Sequence, residues 1–281
     1  MWERRYRFPL PERDAHGDRA YPIEQVERLR LIKRLMDQGH RPGRLMDVPA
    51  EDLAALARPG PPPPALVPGV VEAPEDELDA VLALLTRHDA AGFQRALQQA
   101  LARLGLQRFV EAVVAPLTSL VGRGWESGQL GVVEEHLFTE LTTRVMRQAL
   151  DALPGGPRSP RVLCTTAPGE AHALGLLMAE ALLALEGAQC LPFGTGMPLL
   201  DIRRGAAAHR VDVVALSFSE AFPARQVHEV LEQLRALLPA EVALWAGGAG
   251  ARRAAPVEGV ALLAGLADGL AVLEAWRAAH P

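Results

Sequence analysis

Pro154-Gly155-Gly156-Pro157 separates two kinds of hydrophobic pattern. Before it, apolar residues recur at helical spacing. After it, short apolar runs alternate with helical stretches. A helix cannot run through this segment, because proline lacks the amide donor and glycine loses the most backbone entropy on ordering. The chain is therefore constrained to a helical part followed by an α/β part.

In the helical part, Leu78, Val81, Leu82 and Leu85 recur at three- and four-residue steps. Phe93, Leu97, Leu101 and Leu104 do the same, as do Phe109, Val113, Leu117 and Leu120. Breaks near Asp89–Gly92, at Gly105 and over Gly128–Gly131 separate four helices, the last ending near Leu153. Short connections between amphipathic helices predict a four-helix bundle over 75–155. Beyond it, strand-like runs at Val162–Thr165, Gln189–Phe193, Val211–Ser217 and Val242–Ala246 alternate with helices. These helices are predicted over 171–186, 199–208, 223–237 and 265–279, with a short one near 250. Strands that are apolar throughout fit a parallel sheet covered on both faces. Residues 156–281 are thus expected to form a Rossmann-like, doubly wound domain that binds ligands at the C-terminal edge of its strands.

Residues 1–57 are charged and Arg-rich, and Arg58-Pro59-Gly60-Pro61 opens a Pro-rich linker over 58–74, expected to be an extended spacer. No apolar core follows Met1 and no uncharged run is long enough to span a bilayer, so a cytoplasmic chain without a membrane partner is expected. A net charge of −5 argues against nonspecific coating of nucleic acid. Cys164 and Cys190 lie in apolar surroundings without metal-ligand spacing and read as reduced and buried. His209, His228 and His280 read as solvated, and His16, His40 and His88 as loop residues without carboxylate or Cys partners.

Two motifs carry the chemistry. Trp125 is followed, after nine residues, by Glu135-His136; Glu170-Ala171-His172-Ala173-Leu174-Gly175 follows the first strand. His172 would stand at the ligand-binding edge, where a neutral imidazole can ligate a metal. Glu170 can take the proton of the other ring nitrogen, and Gly175 lets the backbone come close to a bound group. Gly194-Thr195-Gly196-Met197-Pro198, Ser217-Phe218-Ser219 and Gly247-Gly248 mark the next three strand ends. Trp125 offers a flat apolar face, and Glu135 a carboxylate for hydroxyl or amino groups. Taken singly, each has a plainer reading: a loop histidine, glycine turns, a core tryptophan, an acidic residue at a helix N-terminus. Four landmarks at four successive strand ends outweigh those readings.

In this order the motifs resemble the cobalamin-binding half of the light-sensing MerR-type repressors, the CarH/LitR family. The family pattern Asp-x-His-x-x-Gly, Ser-x-Leu and Gly-Gly appears here with Glu170 in place of the Asp and with Ser217-Phe218-Ser219 as its second element. The resemblance implies adenosylcobalamin as cofactor, with His172 as the lower cobalt ligand and Glu170, Gly175, Gly194, Ser217, Gly247 and Gly248 around it. It implies Trp125, Glu135 and His136 as a cap that favours the adenosyl form. One position departs from the family: a His directly follows the Trp there and captures cobalt after light breaks the carbon–cobalt bond, whereas Glu126 stands here. A carboxylate is the poorer cobalt ligand.

Trp2-Glu3-Arg4-Arg5-Tyr6-Arg7-Phe8-Pro9 resembles the end of a MerR recognition helix and the start of its wing, and Gly17–Tyr21 the wing's return strand. Ile23, Val26, Leu29, Ile32 and Leu35 would form the helix packed under it. The resemblance implies DNA contacts by Arg4, Arg5, Tyr6 and Arg19. The family's first helix and most of its recognition helix would lie upstream of Met1, so DNA is an expected partner if the winged helix is complete there. The leading expectation is a homo-oligomeric, cobalamin-binding transcriptional regulator, an adenosylcobalamin-dependent repressor released by light. The alternatives are a cobalamin-binding antirepressor that acts by protein contact and the corrinoid-binding module of a methyltransferase. The MerR-like N-terminus and the cap stand against the latter. No separate catalytic acid–base or nucleophile set is visible, and an enzyme is not expected.

Overall fold

The structure is a computed structural model. It describes residues 75–154 and 159–280 and, before them, 8–13, 19–22, 24–25, 28–29, 32, 35, 42–46, 48–49 and 52–53. Arg4, Arg5, Tyr6, His16 and His40 lie outside the described residues, and the linker 58–74 lies outside them too. The chain comprises two compact units, Met1–Leu117 and Thr118–Pro281.

In the first unit, β1 (Glu12–Arg13) pairs antiparallel with β2 (Arg19–Ala20), as expected of a wing. Ile32, Leu35, Leu45 and Leu53 bury a small apolar cluster with Phe8, Met46 and Val48 at its edge. Arg28 closes it: its Nη2 donates to the carbonyls of Met46 and Val48 at 2.7 and 3.1 Å, and its guanidinium lies over the Phe8 ring. Leu45 belongs to the short α1 (Pro42–Leu45). The predicted helices follow in order as α2 (Glu75–Thr86) and α3 (Ala90–Leu104). Asp89 starts α3 by accepting the Gly92 amide at 2.7 Å, and Gly105, at φ 77°, ends it.

The third predicted helix is not uniform. It runs as α4 (Leu106–Phe109), a π-helical turn over Val110–Val114, and α5 (Ala115–Glu126). Val110, Ala112, Val113 and Val114 are all buried. The widened turn lets neighbouring apolar residues share the inner side, which one α-helical face cannot do.

The second unit contains α6 (Val132–Asp151) and the α/β domain. Its strands are β3 (Arg161–Thr165), β4 (Gln189–Pro192), β5 (Val213–Ser217), β6 (Ala243–Gly247) and β7 (Val260–Leu262). All neighbours are parallel, in the order β4-β3-β5-β6-β7. Its helices are α7 (Leu174–Leu185), α8 (Leu199–Ala208), α9 (Ala224–Leu237) and α10 (Leu266–Ala279). The fifth strand, β7, carries only three residues after Gly259, too short a run to stand out from a loop.

Alternate strand residues feed two cores. Leu163, Val214, Leu216 and Leu244 meet Ile202, Val227, Leu231 and Leu234 on one face. Val162, Cys164, Val213 and Trp245 meet Leu176, Leu183 and Leu273 on the other. Each fully buried side chain of this size contributes about 1.5–3 kcal/mol of transfer free energy. The chain leaves β3 toward β4 on one side and returns to β5 on the other. A crevice for ligands therefore opens at the C-terminal ends of β3 and β5.

Cys164 is buried and free; the hydrogen bond with Cys190 and its burial push its thiol pKa up, which leaves it unreactive. Cys190 is only partly buried. His280 stacks on Trp276 at 4.3 Å, His209 meets the Phe193 ring edge-on, and His228 Nδ1 lies 3.2 Å from the Ala255 carbonyl. These three histidines are thus less free than their polar surroundings in the sequence suggested. No helix among the described residues is long and apolar enough to cross a membrane.

Candidate functional site

The crevice is built from β3 outward. Thr165 Oγ1 donates to the Gly194 carbonyl at 2.9 Å, and Thr166 Oγ1 donates to the Glu170 carbonyl at 2.6 Å. Thr166 Oγ1 also accepts the Gly196 amide at 2.9 Å. Two hydroxyls at one strand end therefore fix both the loop of Glu170 and the loop of Gly194. The helix predicted from 171 starts only at Leu174, so His172 lies in the loop and not in a helical turn.

Glu170 is the centre of this loop. Its residue is 2% exposed, yet both carboxylate oxygens are engaged. Oε1 lies 2.7 Å from His172 Nδ1 and accepts the His172 amide at 2.9 Å. Oε2 accepts the Ser219 amide at 2.7 Å and the Ser219 hydroxyl at 2.8 Å. Burial alone raises the pKa of Glu170, but the four hydrogen bonds outweigh it and hold the pKa below the usual glutamate value. The carboxylate stays ionised and orients the imidazole. The His172 side chain is 58% exposed, and with Nδ1 engaged its Nε2 is the nitrogen left for a ligand.

Ser219, not Ser217, completes this relay. In the sequence Ser219 is the last residue of Ser217-Phe218-Ser219, two positions past the strand-end landmark Ser217. Ser217 is buried at the end of β5, where its hydroxyl faces Gly175: a Cβ on Gly175 would lie 2.9 Å from Ser217 Oγ. The missing side chain at 175 thus already serves the packing of α7 on β5. Gly248, at φ 93°, is held to glycine because a Cβ there would lie 2.3 Å from the Phe218 carbonyl oxygen. Gly194, at φ 74°, and Gly247 flank the same edge in open or ordinary packing.

The other motif sits at the turn between α5 and α6. Leu130 N donates to the Gly124 carbonyl at 2.9 Å, and Gly128 takes φ 75°. The turn joins the end of α5, which carries Trp125, to the start of α6. Glu134 accepts the Gly131 amide at 2.8 Å and caps α6. Trp125 is 54% exposed, and Val132 and Val133 are 60% and 65% exposed beside it in the chain. Glu135 accepts the Thr139 hydroxyl at 3.1 Å through Oε1, and its Oε2 lies 2.8 Å from His136 Nδ1. Trp125 is therefore not a core residue, and Glu135 is pre-oriented rather than loose.

Along α6, Arg147 Nη1 donates to both oxygens of Glu180 on α7, at 2.8 and 2.7 Å. Glu180 is almost fully buried. No sequence pattern announced this pair, because it joins two helices of different domains as drawn from the sequence. Arg19 lies in β2, within the two-stranded ladder.

Comparison with known proteins identifies the family. The family model for MerR HTH regulatory proteins matches residues 1–48, and that for the B12 binding domain matches residues 77–153. The HTH-type transcriptional repressor CarH of Myxococcus xanthus is 34% identical over 268 residues, covering 89% of this chain and 83% of the relative. The repressor CarA of the same organism is 31% identical over 256 residues, covering 89% and 81%. Among solved structures, the monomethylamine corrinoid protein of Methanosarcina barkeri aligns with a TM-score of 0.57 at 17% identity, over 72% of this chain and 99% of that one. This last likeness is one of fold. The chain belongs to the MerR-type, cobalamin-binding family of transcriptional regulators that includes the repressors CarH and CarA.

Proposed function

We propose that this regulator is a light-responsive repressor that holds adenosylcobalamin with His172 as the lower cobalt ligand. The observation that carries the reading is the Glu170 carboxylate, gripped by Ser219 on one oxygen and turned onto His172 Nδ1 with the other. A carboxylate so placed fixes the tautomer and raises the ligating power of the second ring nitrogen. The residues present fit the group. Among the described residues there is no cluster of three or more His, Cys, Asp or Glu side chains that could hold a bare ion. One oriented, exposed imidazole suits a metal that arrives with its other ligands already in place.

On this reading Trp125 shields the opposite face from water, and Glu135 receives hydroxyl or amino hydrogens while His136 steadies it. Cobalamin, when bound, supplies the light-labile carbon–cobalt bond. The chain's own residues supply orientation, exclusion of water and a surface that senses whether the upper group is present. Arg4, Arg5, Tyr6 and Arg19 are proposed DNA contacts, and the active form is proposed to be a homo-oligomer. The domain limits that go with this reading are a winged-helix region over 1–57, a linker over 58–74, a helical cap over 75–155 and a cobalamin-binding domain over 156–281.

Spectra of the reconstituted protein test the assignment. Wild type should bind cobalamin with an imidazole nitrogen on cobalt and the cofactor's own base displaced, and His172→Ala should lose that nitrogen. An unchanged spectrum in the variant overturns the reading.

A further inference from the structure

The loop that carries Ser219 is braced from the neighbouring strand end. Phe218 N donates to the Gly247 carbonyl at 2.9 Å, and Gly250 N donates back to the Phe218 carbonyl at 3.0 Å. The two segments lie so close that a Cβ on Gly250 would sit 2.4 Å from the Ser219 carbonyl oxygen. One 3-10 turn further on (Ala251–Arg253), Arg253 reaches over the same loop. Its Nη2 donates to the Glu220 carbonyl and, at 3.3 Å, to that of Phe222. Phe222 N in turn donates to the Ser219 carbonyl at 3.2 Å, and its ring rests against Phe218 at 5.2 Å. The backbone on both sides of Ser219 is thereby tied to the segment after β6.

We propose that Arg253 is a positioning residue for the lower ligand. It clamps the carbonyls that follow Ser219 and so holds the Ser219 amide and hydroxyl on Glu170 Oε2, which leaves Oε1 turned onto His172. The inference rests on the assignment of His172 to cobalt. Nothing in the Asp-x-His-x-x-Gly, Ser-x-Leu and Gly-Gly pattern calls for an arginine at 253; the residue follows from this chain's own loop. Both bonds come from the one Nη2, whose two hydrogens serve two carbonyls, and the length of the arginine side chain carries that nitrogen across the loop. Arg253 itself is exposed, so its removal leaves both apolar cores untouched.

Two readouts test the clamp, one with cofactor and one without. In the cofactor-free protein, exchange of the Ser219 amide hydrogen with solvent should be at least tenfold faster in Arg253→Ala than in wild type, with Arg253→Lys in between. With cob(II)alamin bound at fixed neutral pH, the fraction of cobalt showing one imidazole nitrogen by electron paramagnetic resonance should fall in Arg253→Ala and recover in part in Arg253→Lys. Melting temperatures of the variants should stay near that of wild type. Unchanged amide exchange, or an unchanged imidazole-bound fraction, in Arg253→Ala overturns the clamp. A wild-type spectrum without an imidazole nitrogen overturns the His172 assignment instead, while the amide readout still decides the clamp.

Discussion

Ser219 and Glu170, far apart in sequence, are joined twice: the Ser219 amide and hydroxyl both donate to Oε2, at 2.7 and 2.8 Å. The other oxygen of the same carboxylate turns to His172. Ser217, buried two residues earlier, takes no part in this relay. Loss of a hydrogen-bonding partner behind a metal-bound histidine costs about 10- to 100-fold in affinity. Ser219→Ala should therefore speed cobalamin loss by about tenfold, at the lower end because the amide donor remains. Ser217→Ala should leave the dissociation rate within about twofold, since it removes no donor to Glu170. Stopped-flow transfer of cobalamin to a scavenger compares the two, and equal rates would remove Ser219 from the site.

Gly175 offers a test of packing against cofactor approach. Alanine there meets Ser217 Oγ at 2.9 Å, while alanine in place of glycine inside a helix otherwise gains about 0.5–1 kcal/mol. Gly175→Ala should be destabilised, and adding Ser217→Ala should restore or exceed wild-type stability in denaturant titrations. If the double variant is stable and still fails to bind cobalamin, the glycine is required by the cofactor as well as by Ser217.

These two positions also show what the sequence makes legible. The strand ends, the His172 loop and the alternation of strands and helices follow from runs of apolar residues, which report burial directly. Ser219 does not, because a serine after a strand looks like any turn residue until its loop folds back onto Glu170. The π turn at Val110–Val114 stays hidden because one extra residue per turn leaves the apolar spacing almost unchanged. Strand β7 is missed for want of length, and the Arg147–Glu180 pair because nothing local couples two helices on either side of Pro154–Pro157.

Trp125 is exposed at the turn where α5 gives way to α6, which suits a lid for a bound group and not a core residue. Trp125→Ala should weaken retention of adenosylcobalamin more than that of hydroxocobalamin, with little change in the melting temperature of the cofactor-free protein. Competition dialysis with both forms measures the ratio. Equal losses for the two forms would leave Trp125 without a role in choosing the upper group.

Arg147 and Glu180 govern stability rather than ligand choice. Burial pushes the Glu180 pKa above 4.5, and Arg147 pulls it back only in part. A carboxyl with a raised folded-state pKa holds its proton more tightly when folded. Its contribution is thus fully present below the unfolded value and is lost as pH rises through the folded one. The stability of wild type relative to Glu180→Gln should therefore decline as pH rises from about 4 upward. Arg147→Met strands the buried carboxylate at neutral pH and should cost about 2 kcal/mol, less than for fully buried pairs because Arg147 is partly exposed. Arg147→Met with Glu180→Met should recover most of it, as double-mutant unfolding curves will show.

The last prediction concerns light and turns on Glu126. A ligand moves a protein between two packed states only by binding one better than the other, so the proposed reading requires the upper group to act through Trp125, Glu135 and their helices. Once that group is gone, the family places an imidazole next to the Trp to hold cobalt and keep the shifted state. Glu126 offers a carboxylate there, a harder and weaker partner for cobalt. His136 is the next imidazole in sequence, but it stands beyond the turn that follows Glu126, past the first turn of α6. Illuminated wild type should therefore release or exchange cobalamin readily, and Glu126→His should retain it. Absorption spectra and gel filtration before and after illumination read both effects. A wild-type spectrum with imidazole nitrogen on both faces of cobalt would sink the argument from Glu126. If illumination alters neither assembly state nor DNA affinity, light is not the signal, and the bound cobalamin itself is what this regulator reports.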